Sequence, residues 1–141
     1  MKRQSLWIAV AAGLALAGCN SAESPAEVQH DVADARAEAQ RDLADTQADV
    51  REEMADAHED IADARSDNDP QDVADQVQEA SETAAKGEFK VAVAQAEANH
   101  KVAIEKCEAL RGAEQERCKE QADQQLDLAK QRAQQRRDGT G

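Results

Sequence analysis

From Val28 to Ile61 the inward-type positions recur in steps of three and four: Val28, Val32, Ala35, Ala39, Leu43, Thr46, Val50, Met54, Ala57 and Ile61. Such spacing places them on one face of an α-helix. The stripe arises from three consecutive 11-residue units, Gln29–Ala39, Gln40–Val50 and Arg51–Ile61, which share the pattern polar-x-acid-apolar-Ala-Asp-x-x-x-acid-apolar. Eleven residues in three turns is about 3.67 residues per turn, so the stripe stays nearly straight along the helix. Ser24-Pro25-Ala26-Glu27 is a capping box with proline at the first helical position. Ser66-Asp67-Asn68-Asp69-Pro70 breaks the pattern. The spacing therefore predicts an acidic helix over 25–66, reaching roughly 60 Å. Asp69-Pro70-Gln71-Asp72 starts a second, short helix, expected over 70–86 and stopping at Gly87.

Beyond Gly87 the pattern changes. Phe89, Val93, Ala96, His100, Ala103, Cys107 and Leu110 form one heptad-like stripe, and Cys118, Ala122, Leu126, Ala129 and Ala133 form another. Folding the chain at Gly112 and Ala113 brings together residues whose numbers sum to about 225. Cys107 then faces Cys118, Ile104 faces Ala122, His100 faces Leu126, Ala96 faces Ala129 and Val93 faces Ala133. The expectation over 88–137 is a helical hairpin stapled by a Cys107–Cys118 disulfide, with 138–141 as a tail. Closing so short a loop is worth roughly 3 kcal/mol on the chain-entropy model. The ten-residue spacer is not that of a zinc knuckle or a Cys-x-x-Cys redox site. An intermolecular bridge is the other use of the pair.

Composition changes the picture in one respect. Beyond residue 18 only sixteen Val, Ile, Leu, Met or Phe side chains occur, and 31 of the 141 residues are Ala. A compact α/β or β-sandwich enzyme needs a larger core than this. The expected fold class is all-α and elongated. Charge is uneven: 19–85 carries 20 acids and four bases, whereas 86–141 carries 10 acids and 11 bases. Asp34/Glu38, Asp45/Asp49 and Asp56/Asp60 are like-charge i,i+4 pairs, each costing a few tenths of a kcal/mol in an isolated helix. Divalent cations or a basic envelope protein would relieve that repulsion; a solvated face that holds a rod off a negative membrane needs neither. The basic end, Lys130, Arg132, Arg136 and Arg137, suits a helix C-terminus or a dock for the acidic helix. No nucleic acid is expected.

Catalytic chemistry is not expected. His30, His58 and His100 lie apart from one another, and no cofactor or metal motif surrounds them. His58-Glu59-Asp60-Ile61 lacks the second histidine of a metalloprotease helix. The stretch from Asp67 to Gln78 lacks the glycine and the final glutamate of a calcium loop.

The N-terminus carries the specific signal. Lys2 and Arg3 precede an apolar run from Leu6 to Gly18, too short to span a bilayer of about 30 Å and suited to a signal peptide over 1–18. Leu16-Ala17-Gly18-Cys19 resembles the lipobox of bacterial lipoproteins. The resemblance implies cleavage before Cys19, acylation of that residue, and a tether over 19–24. More than one acyl chain gives stable anchoring. Asn20 rather than Asp after the cysteine implies the periplasmic face of the outer membrane, and Cys107 and Cys118 then share an oxidising compartment. Over 25–137 the chain is loosely similar to the murein lipoprotein and to TolA-type rods. Its end, Arg137-Asp138-Gly139-Thr140-Gly141, lacks the wall-linking lysine of the former. The expectation is a non-enzymatic, lipid-anchored spacer of the envelope. The competing readings are an acidic adaptor or inhibitor and an 11-residue-repeat stress protectant.

Overall fold

The computed structural model describes residues 22–139. All three elements are helical: α1 is Pro25–Ser66, α2 is Pro70–Cys107 and α3 is Gly112–Gly139. Among the described residues there is no strand, and the fold is all-α. Cys19 and residues 1–18, the lipobox and signal segment of the sequence reading, lie outside the described residues, as do Thr140 and Gly141.

Each helix start has a local cause. Ser24 donates its backbone N–H to the Glu27 carboxylate at 2.9 Å, and Glu27 N–H returns a bond to Ser24 Oγ at 3.3 Å. The reciprocal pair satisfies two amide donors that have no partner inside the helix. Between α1 and α2, Asn68 takes φ 56°, a left-handed conformation that asparagine tolerates. Asp69 then caps α2 by accepting from Gln71 N–H at 2.9 Å and Asp72 N–H at 3.4 Å. The acidic run Asp67–Asp72 thus serves the turn. At the other turn Gly112 opens α3 with φ +54°, where a side chain would be strained.

The expected stop at Gly87 does not occur. α2 runs unbroken from Pro70 to Cys107, so the segments 70–86 and 88–107 form one helix of 38 residues. A glycine inside a helix costs about 1 kcal/mol relative to alanine. It is tolerated here because α1 lies directly against it: a Cβ on Gly87 would fall 2.6 Å from Val50 Cγ1. The glycine is a point of close approach between two helices.

The short turn at 67–69 sends α2 back along α1, and the turn after Cys107 sends α3 back along α2. α1 and α3 each pack on α2, and nowhere do α1 and α3 bring their Cα atoms within 8 Å of each other. The acidic helix is therefore not a free rod: its stripe has a partner. All ten positions from Val28 to Ile61 named above are buried or half-buried. The interior is thin and made of small groups. Among the described residues the only large apolar side chains that are buried are Val28, Val32 and Ile61, beside seven alanines and Cys107. No polar or charged residue is buried among the described residues.

Close approach at Gly87 makes a testable prediction. Gly87→Ala should lower the melting temperature even though it improves helix propensity, by an amount equivalent to about 1–2 kcal/mol of overpacking. Adding Val50→Ala should recover part of the loss. A double-mutant cycle read by thermal denaturation measures that coupling, and a Gly87→Ala protein that melts higher would contradict the close approach.

Candidate functional site

Helical geometry on α2 decides what the molecule can present. Gly87, Lys90 and Lys101 turn toward α1: Gly87 meets Val50, Lys90 pairs with Glu53 at 2.5 Å, and Lys101 pairs with Glu38 at 2.8 Å and Asp42 at 3.6 Å. Phe89, His100 and Cys107 turn toward α3. Arg137 lies 4.9 Å over the Phe89 ring, His100 Nε2 is 2.7 Å from Asp123 Oδ1, and Cys107 is bonded to Cys118. Gly87 and Phe89 are two residues apart, about 200° around the helix. Thus α1 and α3 sit on nearly opposite sides of α2, and the three helices form a layer with two open faces.

One face is acidic. A groove of about 570 Å³ runs between α1 and α2, lined by Glu53, Asp56, Asp60 and Glu79, with Ala57, Ala80 and Thr83 beneath and Lys86, Lys90 and Arg137 at one end. α3 ends shortly after Arg137, so the outer part of this groove is bordered by α1 and α2 alone.

The other face is mixed, with apolar residues interrupted by Gln40, Glu88, Gln95 and Asn99 and basic side chains at its borders. A groove of about 710 Å³ has Val50 and Met54 on the α1 side, Ala84, Val91 and Ala92 on α2, and Ala133 and Arg136 on the α3 side. A second stretch of about 460 Å³ continues it, with Arg36 and Leu43 on one side and Ala98, Val102 and Lys106 on the other. The two meet at Gln95.

At the far end lies the cysteine pair. Cys107 and Cys118 are joined with their Cα atoms 5.6 Å apart, and Cys107 is only 1% exposed. Lys119 binds Glu108 at 2.6 Å, which raises the lysine above its usual range through that hydrogen bond. The backbone N–H of Glu23 donates to the carbonyl of Glu108 at 3.2 Å, bringing the start of α1 to the α2–α3 turn. Lost hydration, and then the charges of Asp31, Glu108 and Glu105, push the Glu23 carboxyl upward.

The candidate residues read from sequence distribute as follows. Cys107 and Cys118 come together; Cys19 is outside the described residues. His30 stands beside Asp31 and Asp34 on the surface, and His100 makes a hydrogen bond to Asp123, one turn before Leu126 on α3. Leu110, expected in the seam, is exposed. Among the described residues no three His, Cys, Asp or Glu side chains form a group able to hold a metal ion. The two-sided use of α2 was missed in the sequence reading, which assigned it one stripe. A signal existed: Ala80, Gly87 and Ala94 repeat every seven residues out of phase with Phe89, Ala96 and Ala103. Comparison with known proteins finds no matching family model, no matching curated protein and no matching solved structure.

Two predictions follow from the geometry of this region. Replacing Cys107 and Cys118 by Ser should destabilise the α2–α3 pair by roughly 3 kcal/mol, the loop-closure value, which a denaturant melt of oxidised and variant protein would measure. The second concerns pH. The hydrogen bond and charge of Lys101 hold Glu38 below the usual carboxylate range, so its contribution is present above the ordinary carboxylate pKa and is lost as pH falls through the lowered value. The melting difference between wild type and Glu38→Gln should be visible at pH 7 and vanish on acidification. A difference that grows at low pH would contradict the pair.

Proposed function

We infer that the chain is a non-enzymatic lipoprotein of the outer membrane, anchored through acylated Cys19, whose helices form a structural or spacer element in the periplasm. The observation that carries this reading is the order Leu16-Ala17-Gly18-Cys19 directly after an apolar run with a basic start. Three features support it. Residues 22–24 lie at the α2–α3 turn beside the disulfide, where Glu23 N–H binds Glu108 O. From that end a 42-residue helix reaches roughly 63 Å outward at 1.5 Å per residue. Among the described residues no helix is long and apolar enough to cross a membrane, and the apolar run from Leu6 to Gly18 is itself too short to span one.

On this reading the disulfide-bearing turn sits next to the lipid surface and the Ser66–Pro70 turn is the distal tip. A long acidic helix leaving an anionic leaflet is repelled by it, which favours a molecule that extends from the membrane. Cys107 and Cys118 stay oxidised in the periplasm and hold α3 to α2 where the lipid anchor pulls on the chain.

A second reading, an acidic adaptor for a basic envelope protein, is favoured by the groove bordered by Glu53, Asp56, Asp60 and Glu79. It is compatible with the anchor and differs in what the distal end meets.

The anchor is tested at its own residue. Cys19→Ser should move the protein from the membrane fraction to soluble or unprocessed forms, and mass spectrometry of the wild-type N-terminus should find acyl chains on Cys19. An unmodified sulfur in the mature membrane-bound form, or a cytosolic wild-type protein, would end this reading.

A further inference from the structure

We propose that the mixed face of the layer is a docking groove for an acidic amphipathic helix supplied by another protein. The groove follows α2 from Ala84 to Lys106, 23 residues, or about 33 Å at 1.5 Å rise per residue. Its floor alternates small or branched apolar residues, Ala84, Val91, Ala92, Ala98 and Val102, with the exposed Glu88, Gln95 and Asn99, its length matches a helix of some six turns, and none of the described elements covers it. α1 and α3 rise on either side of α2, so a fourth helix laid here would touch all three.

Charge selects the occupant. The chain carries −13, yet the charged side chains that border this face are Arg36, Lys106, Arg132 and Arg136 against the acid Glu88, while Arg137, shared with the acidic groove, pairs with Asp138 at 3.0 Å. The acids of α1 that pair with α2, Glu38, Asp42 and Glu53, instead meet lysines at the α1–α2 seam. A basic helix would meet the like charges of Arg36, Lys106 and Arg132, whereas an acidic one meets opposite charges at both ends of the groove. The same rim disfavours a second copy, since a two-fold contact places each basic border near its equal. The chain's own acidic helix is already committed, because its apolar stripe is buried on α2.

Small floor residues also fit this occupant. Ala84, Ala92 and Ala98 let a partner backbone come close, and Val91 and Val102 stand beside them as ridges for its larger side chains. The partner thus presents Leu- or Val-type residues at helical spacing, with Asp or Glu along both flanks. This proposal concerns a different face from the acidic groove and does not depend on the lipid anchor.

The test uses the full chain in detergent micelles with the photo-crosslinking residue benzoylphenylalanine at Gln95, in the middle of the groove. The probe is a synthetic peptide of about 22 residues with Leu at the apolar heptad positions and Glu elsewhere; its twin carries Lys in place of Glu. The Glu peptide should crosslink at least about tenfold more than the Lys twin, and Arg36→Gln/Lys106→Gln/Arg132→Gln should remove most of that difference. Circular dichroism of the triple variant checks that its helices remain, and Val102→Glu, which obstructs the floor, gives an independent loss. Equal labelling by both peptides, labelling untouched by the variants, or a crosslink from Gln95 to a second copy or to the chain's own N-terminal segment would each overturn the proposal.

Discussion

The structure depends on how closely α2 can be approached from two sides. A chain with sixteen large apolar side chains beyond residue 18 cannot hold three helices together by filling a core. It relies on seams in which alanine, glycine and cysteine let backbones come near each other, so that many weak contacts replace a few large ones. Gly87 against Val50 is a point of close approach in one seam. Ala96, Ala122 and Ala133 are buried between α2 and α3, and the Cys107–Cys118 bond closes the end of that seam. Because the two seams lie on opposite sides of one helix, the molecule is a layer and not a closed bundle. A layer leaves two faces open, and both grooves follow from that.

Electrostatics act on this frame mainly by sorting. The ion pairs across the α1–α2 seam, Lys101 with Glu38 and Lys90 with Glu53, are all partly exposed. Exposed pairs contribute at most about 1 kcal/mol each. Their consequence is directional: lysines of α2 meet α1 where its acids border the seam, and this favours one antiparallel register over its neighbours. The same arrangement leaves arginines on the opposite face. A protein of strong net negative charge thereby presents one acidic surface and one basic-rimmed surface.

The anchor reading and the geometry meet at the disulfide end. The first described residues of the chain reach the α2–α3 turn, where Glu23, Glu108, Lys119 and Gln115 are linked by hydrogen bonds. Tension applied through a lipid tether would be received there. A covalent bridge beside that point resists separation of α3 better than a seam of alanines does.

Much of this was legible in the linear pattern, for reasons that are local. The capping box at Ser24, the proline starts at Pro25 and Pro70 and the face of α1 to be buried all depend on residues within a few turns, where spacing translates directly into contact. The meeting of Cys107 and Cys118 was legible for a similar reason, since a short turn leaves two helices one natural register. What the sequence could not state was the partner of the α1 stripe. A run of alanines reads alike whether it faces water, a second helix or a third, because alanine carries little hydrophobic signal on either side. Gly87 illustrates the difference. Locally it is a helix breaker, and only the arrival of Val50 from 37 positions earlier in the chain turns it into a point of contact. The helix starts at Pro25 and Pro70 and the breaks after Ser66 and Cys107 were thus determined by the sequence itself; the layered arrangement, the continuity of α2 through Gly87 and the character of its two faces were decided only by packing between distant segments.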